Sequence, residues 1–269
     1  MTRLLSITAA ALVAAAAWSG PLAADDALRA VIDDPERADE ERARDAFRHP
    51  YETLTFFGIQ PDMTVVELSP SGGWYTEILA PYVADEGQYV AGHFDLSVEN
   101  APGYFERAMT AWKERVTDTD RFGEPKVMPF HPPKTTDLGP DGSADMVLSF
   151  RSVHGWKRDE VFGDVLSAAN AVLKPGGIFG IVGHRLPEDG DDSRFTGYVK
   201  SSWVVAQAEA HGFRLVESSE INATPKDTAD HPNGVWTIRP SLNVPEGEDP
   251  EAYAAIGESD RFTLKFAKR

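Results

Sequence analysis

Residues 65–76, which read Val-Val-Glu-Leu-Ser-Pro-Ser-Gly-Gly-Trp-Tyr-Thr, decide the fold of this 269-residue chain. The apolar run that ends at Leu68 is long enough for a buried strand, and the amphipathic segment 74–82 favours a helix. The small residues between them predict a tight strand-to-helix turn. Such a turn lets a ligand approach backbone N–H groups at a helix N-terminus, and Glu67 supplies an acceptor for a polar ligand group. The residues alone leave an ordinary structural turn as the alternative.

The spacing of this stretch resembles the acid-x-Gly-x-Gly-x-Gly motif of class I S-adenosylmethionine-dependent methyltransferases. Ser replaces Gly at two of its positions, and an extra Gly precedes the last one. The dinucleotide-binding pattern Gly-x-Gly-x-x-Gly, read from Gly72, is not present. The resemblance implies S-adenosyl-L-methionine as the cofactor, bound by the acid and the turn residues Glu67, Ser69, Ser71, Gly72 and Gly73.

Further features follow in the order that this family shows. An Asp-led strand at 145–150, a Leu-Lys-Pro-Gly-Gly turn at 173–177 before an apolar strand at 178–182, a helix at 196–210 with a Gly-Phe turn, and a terminal strand at 262–266 are spaced as alternating strands and helices. The resemblance implies an α/β, Rossmann-like class I methyltransferase fold. We expect a mostly parallel seven-stranded sheet with helices on both faces and an antiparallel last strand.

The end of the second strand is where this family places the acid that binds the ribose hydroxyls. Here that position holds His93, with Asp95 two residues later on the same face of an extended segment. We expect Asp95 to be the ribose acid, with His93 beside it, and Phe150 at the end of the fourth strand to contact the cofactor. The adenine contact is expected from backbone or from Asp137.

Three histidines lie at the ends of predicted strands: His93, His154 and His184. They are candidates for a catalytic base, because an imidazole can accept a proton at neutral pH. His154 is the first choice, since the end of the fourth strand commonly faces the transferred methyl in this fold, and His184 is the second. The alternative for each is a structural histidine bonded to backbone. Side chains expected to contact substrate are aromatic or basic residues near the strand ends, although the aromatic ones could equally be core: Trp74, Tyr75, Trp156 and Arg185.

Other site types find less support. The histidines are scattered and lack a short ligand spacing, so we expect no metal site. Ser71 stands on a strand-to-helix turn, but Gly-x-Ser-x-Gly is absent, which makes a Ser-His-Asp hydrolase the less favoured reading. A non-catalytic protein that binds S-adenosylmethionine or a nucleoside is the main alternative to a methyltransferase.

The amino terminus has the pattern of a secretory signal peptide. Arg3 is followed by an apolar run at 4–18, which is short for a transmembrane helix, and then by small residues up to Ala24. We predict a signal peptide at 1–24, no stable membrane span after its cleavage, and a periplasmic or secreted protein. An uncleaved anchor is the alternative.

Residues 25–58 are predicted to form an N-terminal helical cover over a methyltransferase-like domain at 59–269. The charge-rich segment 36–48 predicts a solvated helix. Three of its basic residues could reach a cofactor carboxylate, although a solvated face is favoured: Arg42, Arg44 and Arg48. The segments 44–58 and 72–77 more narrowly resemble a group of predicted exported bacterial methyltransferases.

Composition excludes some partners. The formal net charge is −17 at pH 7, and because phosphate contacts are made mainly by Lys and Arg, nucleic acid is not an expected partner. The chain has no Cys, which excludes disulfides and thiolate metal ligands. A small-molecule substrate is favoured.

Overall fold

A computed structural model describes residues 25–269, and the predicted signal peptide lies outside them. The strands are β1 (Thr64–Leu68), β2 (Gln88–Phe94), β3 (Lys126–Phe130), β4 (Ala144–Phe150), β5 (Leu173–Leu186), β6 (Val199–Lys200), β7 (Phe213–Ser219) and β8 (Arg261–Lys268). The helices are α1 (Asp26–Ile32), α2 (Asp39–Arg42), α3 (Asp45–Arg48), α4 (Pro50–Phe57), α5 (Thr76–Val83), α6 (Gly103–Arg115), α7 (Thr119–Phe122), α8 (Val153–Arg158), α9 (Phe162–Val172), α10 (Ser201–Ala210) and α11 (Pro250–Ala254), with a 3-10 helix at Gly234–Thr237.

The sheet confirms the predicted topology. Its order is β3-β2-β1-β4-β5-β8-β7, with parallel pairing from β3 through β5 and antiparallel pairing of β8 with both β5 and β7. The two-residue strand β6, which pairs with the end of β5, is an eighth strand that the prediction did not include. The order reverses between β1 and β4, and in open α/β sheets such a switch point carries the ligand crevice at the carboxyl ends of the strands.

Both faces of the sheet are buried because alternate residues of each strand point to opposite sides. Val65 and Met146 pack with apolar side chains of α1, α4, α5 and α7 on one face. Val66 and Val147 pack with those of α9 and α10 on the other. The helices on both faces explain why the central strands are mostly apolar.

The amino-terminal segment differs from its prediction. Residues 36–48 form two one-turn helices, α2 and α3, rather than one solvated helix. Arg37 and Arg48 are each only 1% exposed, so the solvated interpretation is wrong for these two residues. Arg37 is paired with Asp45 and donates to the carbonyl of Ile32. Bonds of this kind are what allow a guanidinium to be buried, and a charge-dense sequence does not show them in advance.

Other predicted helix and strand boundaries also differ from the observed ones. The helix predicted from Trp74 begins at Thr76, and the helix predicted from Thr196 begins at Ser201 because Val199 and Lys200 pair with β5. Strand β5 extends beyond the predicted segment at both ends, with Gly176 at φ 76°. No helix among residues 25–269 combines the length and the apolar character that crossing a membrane would need.

Candidate functional site

A cavity of about 500 Å³ opens at the carboxyl ends of the parallel strands. Ligand pockets in proteins usually enclose roughly 300–1,000 Å³. Its floor is formed by the segments that follow β1, β3 and β4, and the irregular segment around Trp236 closes one side. Part of the segment 222–260, which has little regular structure and connects β7 to β8, lines the cavity.

The turn after β1, residues 69–73, is here named the motif loop. Ser69 and Ser71 have φ values of 53° and 55°, and Gly73 has 88°. Positive φ is the conformation that glycine adopts at little cost and that other residues seldom adopt. The two serines therefore keep the backbone that the glycines of the resembled motif would have, although each costs about 1–3 kcal/mol of backbone strain.

Two side chains hold the motif loop from below. Nε2 of His93 lies 2.9 Å from the carbonyl oxygen of Ser71, while its Nδ1 accepts the N–H of Phe94 at 2.7 Å. Nε of Arg115 donates to the carbonyl of Gly72 at 2.7 Å. A carbonyl accepts and an N–H donates, so both bonds to His93 require the neutral tautomer with its proton on Nε2. Burial lowers the pKa of His93 to about 4, which keeps it in that form.

Glu67 is buried at the end of β1 and faces the cavity. Its Oε2 accepts hydrogen bonds from Tyr89 Oη at 2.6 Å and Thr76 Oγ1 at 3.0 Å. Within residues 25–269 no donor bonds to its Oε1, which leaves an acceptor for a ligand. Burial raises the pKa of Glu67 to about 7. The side chain therefore changes between a protonated carboxyl group and an ionised carboxylate near neutral pH.

The two residues expected at the ribose do not line the cavity. His93 supports the motif loop instead. Asp95 accepts the N–H and hydroxyl of Ser97 through Oδ1 and the hydroxyl of Thr135 through Oδ2. Phe94, the residue between them, lines the cavity in their place, because successive side chains of an extended strand point to opposite sides.

An aromatic wall of the cavity near β2 and β3 is formed by Phe94, Tyr104 and Phe105. The rings of Phe94 and Phe105 stack with centroids 4.0 Å apart, and Tyr104 meets both edge-on. Such a wall suits a flat apolar ring system. Asp137, expected near the adenine, does not line this cavity and accepts the N–H of Gly139.

The half of the cavity above β4 and β5 holds most of the predicted substrate residues. Tyr75 and Phe150 stack with centroids 3.4 Å apart, and Trp74 and Trp156 also line the wall. Gly72 and Gly73, which were expected to bind the cofactor, do not line the cavity. Arg185 lies outside the cavity as well, bonded to Asp260 and Glu220.

The two predicted catalytic histidines meet in this half. His154 lies in α8 and His184 near the end of β5, and their ring centroids are 5.3 Å apart. Nδ1 of His184 is 2.6 Å from Ser259 Oγ, whereas no hydrogen bond holds the ring of His154 within residues 25–269. Burial, with Arg151 and Arg158 nearby, lowers the pKa of His154 to about 4. Its imidazole is therefore neutral and free to meet a ligand.

A group of charged residues beside these histidines was not predicted as a site. We name it the arginine cluster: Arg44, Arg48, Arg151 and Arg261 around the carboxylate of Glu258. Glu258 accepts from Arg44 Nε at 2.6 Å, from Arg48 Nε at 3.2 Å and from Arg261 Nη2. Burial opposes the ionised form, but the surrounding guanidiniums lower the pKa of Glu258 to about 2. Its members are far apart in sequence. The sequence indicated that Arg44 and Arg48 could reach a cofactor carboxylate, although a solvated face was favoured, and Arg151 directly follows a buried strand.

The arrangement expected of a hydrolase is not formed at Ser71. Ser71 meets His93 through its backbone carbonyl, not its hydroxyl, so it has no Ser-His pair for nucleophilic catalysis. Among residues 25–269, no three or more His, Asp or Glu side chains are grouped so that they could hold a metal ion.

Solved structures share this fold. An S-adenosylmethionine-dependent methyltransferase from Aquifex aeolicus has a TM-score of 0.56 at 16% identity, covering 90% of this chain and 98% of that one. The 4+2 cyclase SpnF has a TM-score of 0.56 at 13% identity, covering 83% and 80%. An S-adenosylmethionine-dependent methyltransferase from Mesorhizobium loti has a TM-score of 0.50 at 15% identity, covering 81% and 97%.

No protein-family model matches the sequence, and neither does any curated protein. At such low identities, the likeness establishes the fold of Rossmann-like methyltransferases. Because one of these structures is a cyclase by name, the fold does not decide the reaction, and the site must be argued from its own residues.

Proposed function

We propose that this protein is an S-adenosylmethionine-dependent methyltransferase that binds the cofactor against the motif loop and a small-molecule acceptor beside His154. The observation that carries the proposal is the motif loop itself. It keeps positive φ at both serines, is held by His93 and Arg115, and lines the cavity through Ser69, Pro70 and Ser71. A strained backbone conformation persists only where the surrounding structure enforces it.

The residues present fit this cofactor. Glu67 Oε1 is a free acceptor for its hydroxyl groups, Ser69, Pro70 and Ser71 of the motif loop line the cavity, and the Phe94–Phe105 wall suits its adenine. The misfit is at Asp95, whose oxygens are bonded within the protein. We therefore assign the acid that meets the cofactor to Glu67.

When bound, S-adenosylmethionine supplies a methyl group already activated on a sulfonium. The protein then has to align the acceptor and remove a proton where the nucleophile carries one. His154 is the residue placed for that proton, because its ring is neutral and faces the cavity. His184, which is held by Ser259, packs against His154 with ring centroids 5.3 Å apart.

Export and the narrower family are part of the proposal. The apolar run at 4–18 and the small residues before Asp25 support a cleaved signal peptide. The segments 44–58 and 72–77 support membership of the exported bacterial group. Sequencing the amino terminus of the protein recovered from the periplasm or medium should give Asp25 or a neighbouring residue; an intact Met1 would contradict this.

The cofactor proposal is tested by calorimetric titration of S-adenosylmethionine and S-adenosylhomocysteine into the purified protein. Both should bind saturably, and Glu67→Gln, which keeps the shape and removes the charge, should weaken both by about tenfold or more. Glu220→Gln is the matched control, since Glu220 pairs with Arg185 outside the cavity. Absence of binding would overturn the cofactor, and an unaffected Glu67→Gln variant would overturn the assigned site.

Turnover separates the enzyme from the non-catalytic alternative. Incubation with S-adenosylmethionine and a panel of small organic acids should release S-adenosylhomocysteine, and His154→Asn should lower the rate by roughly 10²–10⁴-fold while the cofactor still binds. Cofactor binding with no product from any acceptor would favour the binding-protein reading.

A further inference from the structure

The arginine cluster holds more positive than negative charge in a buried place. Four guanidiniums, those of Arg44, Arg48, Arg151 and Arg261, act on the single carboxylate of Glu258. The acids that line the cavity do not balance them: Asp159 is paired with Arg158, and Glu67 is held by Tyr89 and Thr76. Buried charge is costly unless it is paired, so the cluster favours a further anion.

The cluster also has hydrogen-bond donors to spare. Nη1 and Nη2 of Arg48 and Nε of Arg151 are buried and have no partner in the described chain. Arg48 is 1% exposed and lines the cavity together with Arg151 and Arg261. A guanidinium presents donors in a planar fork that matches the oxygens of a carboxylate or phosphate. The unused donors are thus of the kind that an oxyanion would fill.

Glu258 fixes these guanidiniums rather than neutralising them. Its two oxygens hold Arg44, Arg48 and Arg261 through one nitrogen each, and Arg261 is further held by the carbonyl of Phe47 at 2.9 Å. Arg48 in addition lies over the ring of Trp74, 4.3 Å from its centroid. Side chains that are fixed in this way need little reorganisation when a ligand arrives.

From this geometry we propose that the arginine cluster binds the anionic end of the methyl acceptor, a small molecule with a carboxylate or phosphate on an apolar body. Naming this ligand as the acceptor rests on the proposed function; the anion site itself does not.

The position of the arginine cluster relative to the sheet supports the assignment of its ligand as the methyl acceptor. The motif loop follows β1, and the aromatic wall stands over β2 and β3. Arg261 pairs with His184 across β8 and β5, on the other side of the switch point between β1 and β4. The stacked Tyr75 and Phe150 and the ring of Trp236 supply apolar walls there, and His154 lies 5.9 Å from Trp236 between ring centroids.

The test is calorimetric titration of benzoate and of inorganic phosphate, each with and without saturating S-adenosylhomocysteine. At least one probe should bind in both conditions, and the preferred probe distinguishes a carboxylate from a phosphate ligand. Arg151→Gln and Arg48→Gln should each weaken it about tenfold or more, and Arg151→Lys less. Arg214→Gln, an exposed position on β7 with the same change of charge, should leave the affinity unchanged. Circular dichroism of each variant checks folding, and the two cavity variants are independent.

Three results would overturn the proposal. If neither probe binds, there is no anion site. If S-adenosylhomocysteine displaces the probe and Arg151→Gln weakens both ligands equally, the cluster binds the carboxylate of the cofactor instead of an acceptor. If a probe binds and S-adenosylhomocysteine does not, the anion site stands, but the proposed function and the acceptor assignment both fail.

Discussion

The two halves of the cavity satisfy their polar groups in different ways. Over β1 and β2, the polar side chains are bonded within the protein except at Glu67 Oε1: His93 uses both ring nitrogens, and Glu67 Oε2 accepts from Tyr89 and Thr76. Over β4, β5 and β8, Arg48 and Arg151 keep buried donors without a partner among residues 25–269. A bonded network is rigid, whereas unpaired buried donors are costly until a ligand supplies acceptors. The first half is thus preformed, and the second is completed by what it binds.

The largest effect is expected at the one carboxylate of the arginine cluster. Glu258→Gln removes the negative charge that holds three guanidiniums, so we expect a loss of about 3–5 kcal/mol in the free energy of unfolding. Urea denaturation at pH 7 measures it. Glu220→Gln, at an exposed pair with Arg185, is the control and should cost less than about 1 kcal/mol. A loss as small for Glu258→Gln would contradict the described cluster.

The two histidines with pKa values near 4 provide the second test, because burial lowers both pKa values but only His93 is bonded on both sides. A histidine whose folded pKa is depressed binds fewer protons in the folded than in the unfolded protein. Its stabilising effect is complete above pH 6.5, the unfolded value, and is lost as the pH falls toward 4.

We therefore expect His154→Asn to unfold like the wild type at pH 8 and to be more stable by about 3 kcal/mol near pH 4. His93→Asn should lose about 1–3 kcal/mol already at pH 8, because its bonds to the motif loop are broken. Denaturant midpoints across this pH range measure both. Equal losses for the two variants at pH 8 would remove the distinction between a structural and a free histidine.

Substituting the two neighbouring glycines of the motif loop is expected to change the stability of the protein by a smaller amount. A Cβ at Gly73 would lie 2.9 Å from Arg115 Cδ and 3.0 Å from Trp112 Cδ1, at φ 88°, whereas one at Gly72 would meet nothing within 4 Å. Gly73→Ala should cost about 2 kcal/mol of stability and weaken cofactor binding, and Gly72→Ala should change stability by less than about 0.5 kcal/mol. Thermal unfolding compares them, and similar behaviour of the two would contradict the loop conformation.

The smallest effect concerns the pH dependence of cofactor binding. Burial raises the pKa of Glu67 to about 7, and the ionised carboxylate is the form that accepts hydrogen bonds from hydroxyl groups. Affinity for S-adenosylhomocysteine should therefore rise about tenfold from pH 6 to pH 8. In Glu67→Gln this rise should disappear; a wild-type affinity that is flat or falls over the same range would exclude Glu67 as the acceptor.

The fold could be predicted because its signals are local or ordered along the chain. The apolar strand before Glu67, the Gly-containing turn at 173–177 and the terminal strand each follow from residue type and spacing. Boundaries were less predictable where pairing decides them, as at Val199 and Lys200, which join β5 instead of the following helix.

The site was predictable in part for the same reason. Side chains at or just beyond the carboxyl ends of β1, β4 and β5, such as Glu67, His154 and His184, could be placed at the cavity from the sheet order alone. Asp95 and Arg185 could not be placed, because one residue of register decides which way a side chain faces. The arginine cluster joins residues about 210 positions apart, Arg48 and Glu258, and no short pattern indicates such a contact.

A crystal structure of the complex with S-adenosylhomocysteine tests the division of the cavity most directly. We expect the nucleoside to lie on the motif loop, with a ribose hydroxyl bonded to Glu67 Oε1, the adenine against the Phe94–Phe105 wall, and no contact with Arg151 or Arg261. A homocysteine carboxylate bound to those two guanidiniums, or a nucleoside lying away from the motif loop, would contradict it.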